Sequence, residues 1–125
     1  MKKIQQLVVV ALLFVATSAA AATLDGNYTF ASRAKNGAPD MQGWTGTMTI
    51  QNDTVARTYK SVDGKETKAY TAALKQEGDV YNFTITKSYK PEQVGTIHKN
   101  KITTAGKTLT IESADGVFKE VWAKK

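Results

Sequence analysis

Trp44-Thr45-Gly46-Thr47-Met48-Thr49-Ile50-Gln51, then Asn52-Asp53, then Thr54-Val55-Ala56-Arg57-Thr58-Tyr59-Lys60 is the stretch that decides the fold. Trp44, Met48 and Ile50 fall on one face of an extended chain, and Thr45, Thr47, Thr49 and Gln51 on the other. After the turn residues Asn52-Asp53, Val55, Arg57 and Tyr59 alternate in the same way with Ala56, Thr58 and Lys60. A period of two marks strands with one buried and one wet face, and a two-residue polar break between two such runs reads as a hairpin.

The same alternation runs outward in both directions, and from Thr23 onward no window longer than a turn or two shows an apolar 3.6-residue period. Breaks at Asn36-Gly37-Ala38-Pro39-Asp40, Asn52-Asp53, Asp63-Gly64, Glu77-Gly78-Asp79, Lys90-Pro91-Glu92, Ala105-Gly106 and Asp115-Gly116 divide it into eight strands. These are expected over residues 26–33, 43–51, 54–61, 66–75, 79–89, 94–103, 107–113 and 117–123. Short connections make successive strands antiparallel neighbours. Closure of such a meander removes its two exposed edges, so the expected fold is all-β, an eight-stranded antiparallel up-and-down barrel. The inward phase carries Tyr28 and Phe30, Tyr70, Ala72 and Leu74, Tyr81, Phe83 and Ile85, and Leu109 and Ile111. The outward phase is mostly Thr and Lys, which excludes an outer-membrane barrel, whose outer face must be apolar.

The first 22 residues read differently. Met1-Lys2-Lys3, an apolar run from Leu7 to Ala16 and a small-residue end at Ala19-Ala20-Ala21-Ala22 have the form of a cleaved signal peptide. Its apolar run is shorter than the roughly 20 residues that span a bilayer. Residues 23–125 remain as one domain, and loss of Lys2 and Lys3 lowers the formal charge from +6 to +4. With no cysteine there is no disulfide framework, thiol nucleophile or lipid-attachment site, so the expected product is a periplasmic or secreted protein, not a lipoprotein and without stable membrane insertion.

Leu24-Asp25-Gly26-Asn27-Tyr28 at the start, eight short strands, and Leu109-Thr110-Ile111 with Phe118-Lys119-Glu120-Val121-Trp122 at the end resemble the lipocalin-like, or calycin, group of small β-barrels. The Gly-x-Trp opening usual in lipocalins stands here as Gly26-Asn27-Tyr28. The resemblance implies a barrel closed at one end and open at the other, holding a small apolar or amphipathic molecule.

Polar residues in the inward phase are the informative ones. Arg57 lies between Val55 and Tyr59, Glu120 between Phe118 and Trp122, and the single His98 shares a face with Val94, Thr96, Asn100 and Ile102. A buried charge is costly unless paired. Arg57 therefore either pairs with Glu120 as a structural element or, with Tyr59 and a second tyrosine, anchors the polar end of a ligand. The expected ligand-binding set is Tyr28, Trp44, Arg57, Tyr59, Tyr70, Phe83, His98, Glu120 and Trp122, though core packing is the default reading of its tyrosines and tryptophans. One His and no Cys build neither an ordinary zinc site nor a nucleophile–base pair, so no metal, cofactor or catalytic activity is expected. The lysines are spread over several strands and turns among acids, which argues against nucleic acid and for a solvated cationic surface with weak attraction to anionic polymers or lipid. Two readings follow. Either the barrel binds a small apolar or amphipathic ligand, or its interior is packed and it acts through envelope protein contacts, in the manner of a protease inhibitor, using connections such as 35–42 or 89–93.

Overall fold

The computed structural model describes residues 24–125, so the signal peptide expected over residues 1–22 lies outside the described residues. The strands are β1 (Gly26–Lys35), β2 (Ala38–Asp40), β3 (Thr45–Gln51), β4 (Thr54–Lys60), β5 (Thr67–Glu77), β6 (Val80–Ser88), β7 (Ile97–Ala105), β8 (Thr108–Ser113) and β9 (Phe118–Lys124). Every neighbouring pair is antiparallel in chain order, β1-β3-β4-β5-β6-β7-β8-β9, and β9 returns to pair with β1. Eight strands close an up-and-down barrel, and β2 is a short extra strand on β1.

The turns explain why the chain reverses where it does. Asn52 and Asp53 both adopt positive φ, 50° and 59°, as do Asn36 and Gly37, 51° and 78°. Positive φ at both central positions is the hairpin geometry whose twist matches that of the flanking strands, and Asn, Asp and Gly tolerate it best. The second of these turns makes a hairpin of β1 and β2 where the sequence suggested only a long connection. The strand expected from residue 94 begins instead at Ile97. Pro91 opens a single 3-10 turn over Pro91–Gln93, and Gly95 at φ 92° then redirects the chain, leaving Val94 and Thr96 outside the strand.

Inside the ring, Trp122, Tyr59, Phe83, Met48, Ile50, Leu109 and Val55 are essentially inaccessible to water. The hairpin turns at 52–53, 78–79 and 106–107 mark one end of the barrel. There Tyr28 donates its hydroxyl to the Leu24 carbonyl at 2.7 Å, tying the incoming chain beneath the core. Gly46 in β3 faces Tyr59 across the β3–β4 ladder. A Cβ at Gly46 would stand 3.0 Å from both the Thr58 carbonyl oxygen and Phe30 Cβ, and 3.3 Å from the Tyr59 ring. Because a packed interior gives way only by distortion, Gly46→Val is expected to lower stability by about 1–3 kcal/mol, measurable as a reduced urea midpoint.

Candidate functional site

The packed core fills only part of the barrel. At the end formed by the connections 36–44, 61–66, 89–96 and 114–117, the interior opens into a cup of about 700 Å³. Arg57, Tyr59, Ile85, Asn100, Ile111 and Glu120 lie at its base, Arg33, Tyr70, His98, Ser113 and Phe118 along its wall, and Asp40, Met41, Tyr89 and Ile97 at its mouth. Asp40 and Met41 reach the mouth because β2 folds back on β1, pairing Asp40 with Arg33.

Glu120 is the centre of the base. Its carboxylate accepts from Arg57 Nη1 at 3.1 Å, Arg33 Nη1 at 3.0 Å, the Tyr59 hydroxyl at 2.6 Å and the Trp122 indole N–H at 3.1 Å. Burial pushes the Tyr59 phenol well above its ordinary pKa, Arg57 pulls it down, and Glu120 raises it further, so the hydroxyl stays protonated and donates. Burial alone would weaken the charge on Arg57, but Tyr59, Glu120 and Tyr70 more than offset that and leave its pKa raised. The guanidinium is also held between the Tyr70 and Phe83 rings, 4.9 and 5.4 Å from their centroids.

Two guanidinia share one buried carboxylate, and the second anion, Asp40, stands at the half-wet mouth, 3.1 Å from Arg33 Nε. Among the described residues, Arg33 Nε nevertheless lacks a well-directed hydrogen bond, and Arg57 Nε is buried without a partner. Buried donors left without acceptors are costly and favour any acceptor that can be brought to them.

Of the residues singled out from sequence, Arg57, Tyr59, Tyr70, His98 and Glu120 come together in the cup. Phe83 and Trp122 lie under it, in contact with Arg57 and Glu120. Trp44 is half-buried beside the core with Lys68 Nζ 5.2 Å from its ring centroid, and Tyr28 sits at the opposite end of the barrel, by a smaller cavity of about 300 Å³. Arg33 was missed by the alternation, because Phe30 pairs with Trp122 but Ser32 with Val121: the bulge at Ala31 slips the phase and turns Arg33 inward against Glu120. Among the described residues no group of three or more His, Asp and Glu converges as a metal site would require.

His98 is the only histidine, and its side chain lies in the wall of the cup. Partial burial and then the Arg57 charge lower its pKa from the ordinary 6.5. The unfolded chain thus binds more protons just below pH 6.5, and this group's contribution to stability falls as the pH drops through 6.5 and levels off below the folded value. An anion in the cup would screen Arg57 and raise the His98 pKa. A single resolved imidazole titration by NMR, with and without a bound anionic ligand, reads this shift; no change or a further drop would place the ligand elsewhere. Compared with protein-family models, curated proteins and solved structures, the chain matches none of them.

Proposed function

We propose that this chain is a periplasmic or secreted binding protein of lipocalin-like design, whose cup holds one small amphipathic ligand. The polar end of the ligand meets Arg57 with Tyr70 beside it, and its apolar body lies against Ile85, Ile111 and Tyr89. The observation that carries this reading is a barrel packed in one part and open in the other, with Arg57 Nε at the base of the opening buried and without a partner among the described residues. The volume lies within the roughly 300–1,000 Å³ usual for small-molecule pockets, and apolar side chains such as Ile85, Ile111 and Phe118 share the lining with charged and polar ones, as an amphipathic ligand requires. A binding role rather than a catalytic one is part of the proposal. Thr96 Oγ1 lies 3.5 Å from the His98 imidazole but donates its proton to the Gln93 carbonyl at 2.6 Å, so the imidazole is not placed to take it.

Native mass spectrometry of the protein purified gently from its own compartment tests this directly. A discrete added mass that is lost on denaturation is the expected result, and the released molecule supplies the probe for titration. Arg57→Leu is then expected to weaken binding by about 10- to 100-fold, the worth of a charge-assisted hydrogen bond in a partly dry site. Lys101→Leu, on the outer face of β7, is expected to leave affinity unchanged. A bare chain, with no ligand recovered from its compartment, would overturn the proposal.

A further inference from the structure

Among the described residues, four large apolar side chains stand exposed: Val62, Tyr89, Val94 and Ile97, between 38 and 73% accessible. All four lie at the open end of the barrel. Three fall within the β6–β7 connection and the first residue of β7, a ledge of chain whose Tyr89 and Ile97 line the cup. The ledge is built into the fold: the Tyr89 N–H donates to the Ala69 carbonyl at 2.9 Å, Val94 N–H to Pro91 at 3.2 Å and Gly95 N–H to Ile85 at 2.8 Å. Tyr89 is further braced by stacking on Tyr70, with centroids 6.1 Å apart.

Lysines border this apolar ledge. Lys87 precedes it on β6, Lys90 lies within it with Nζ 5.6 Å from the Tyr89 ring centroid, and Lys99 follows on β7; all three are exposed. Glu92 is the one acid in the same connection. The other connections at the open end carry Asp40, Asp63, Glu66 and Asp115 against Lys65, so the cationic rim is local to the ledge. Aliphatic side chains with a tyrosine, rimmed by cations on long stems, complement a surface that is anionic outside and apolar just beneath. That is the layering of an anionic phospholipid bilayer. We propose that this ledge docks on an anionic phospholipid surface, with Tyr89, Val94 and Ile97 entering the headgroup–acyl boundary and Lys87, Lys90 and Lys99 facing the phosphates. Docking is peripheral and reversible. Since Tyr89 and Ile97 also line the cup, it places the β6–β7 side of the cup mouth against the bilayer; that an amphipathic ligand passes there rests on the proposed binding function, whereas the docking itself does not.

Co-sedimentation of the purified protein with vesicles tests the docking. The protein is expected to pellet with vesicles of equal parts phosphatidylglycerol and phosphatidylcholine, to stay in solution with phosphatidylcholine alone, and to release as salt is raised. Val94→Glu with Ile97→Glu places charges on exposed positions that the fold does not need, and is expected to reduce vesicle binding at least tenfold with an unchanged melting curve. Val62→Glu, on the β4–β5 connection away from the ledge, is expected to bind as the parent does. Arg57→Leu is also expected to pellet normally, so that failure of the ligand reading and failure of docking are told apart. Equal pelleting of the Val94→Glu/Ile97→Glu variant, or no preference for the anionic vesicles, would overturn the proposal. So would a dimer in sedimentation equilibrium that the same variant dissociates, because the ledge would then be a contact between copies.

Discussion

Glu120→Leu is expected to cost about 3–5 kcal/mol, because it removes the anion at the centre of a buried network and leaves its cations in place. Arg57 would lose its one ion-pair partner, Arg33 would keep only Asp40 at the mouth, and the Tyr59 hydroxyl and Trp122 N–H would both lose their acceptor. With stability changes of 1 kcal/mol shifting Tm by about 4–8 °C in domains near this size, the melting temperature should fall by well over 10 °C. Arg57→Leu should be milder, about 1–3 kcal/mol, since Glu120 keeps Arg33, Tyr59 and Trp122. In Glu120→Leu/Arg57→Leu the orphaned cation is removed as well, so the double variant should recover part of the loss. Thermal melts of the three proteins at neutral pH measure this. A Glu120→Leu protein as stable as its parent, or a double variant worse than the sum of the singles, would contradict the network as described.

The second large effect is expected at Trp122. Its ring is fully buried, edge-on to Phe30 at 5.4 Å and tilted against Tyr59 at 5.7 Å, and its N–H reaches Glu120. Trp122→Ala removes the largest side chain of the core directly beneath the cup, and a cost of about 3–5 kcal/mol follows from lost burial and the cavity left behind. Trp122→Phe separates packing from polarity. It restores most of the ring contact with Phe30 and Tyr59 but leaves the Glu120 carboxylate one donor short, so it should cost clearly less than alanine yet more than zero. Urea titration distinguishes these, and a phenylalanine variant as unstable as alanine would mean that the indole N–H, not the ring, carries the effect.

Much of the barrel and its central charged pair was legible in the sequence. The period-two patterns of β3, β4 and β9 turn Met48 and Ile50, Arg57 and Tyr59, and Glu120 and Trp122 inward, as the structure shows. The choice between a paired and a ligand-anchoring Arg57 was left open by the residues. In the structure Arg57 is paired through Nη1 while its Nε has no partner among the described residues. Alternation reports which side of a sheet a residue faces, but not how far along the barrel axis it stands. Tyr28 and Tyr59 are alike in sequence phase, yet one closes the far end and the other lies under the cup.

By itself, then, the amino-acid sequence determined the strands, their turns, their antiparallel order and the inward phase of most side chains, because these depend on local backbone geometry and on a period that each strand carries within itself. Only the tertiary structure decided that Arg33 joins Glu120, that β2 brings Asp40 to the mouth, and that the interior is part core and part cup. Those features depend on a one-residue bulge at Ala31 and on the stagger of strands around the ring. Both are set by packing and closure among distant segments, which a pattern confined to one strand does not record.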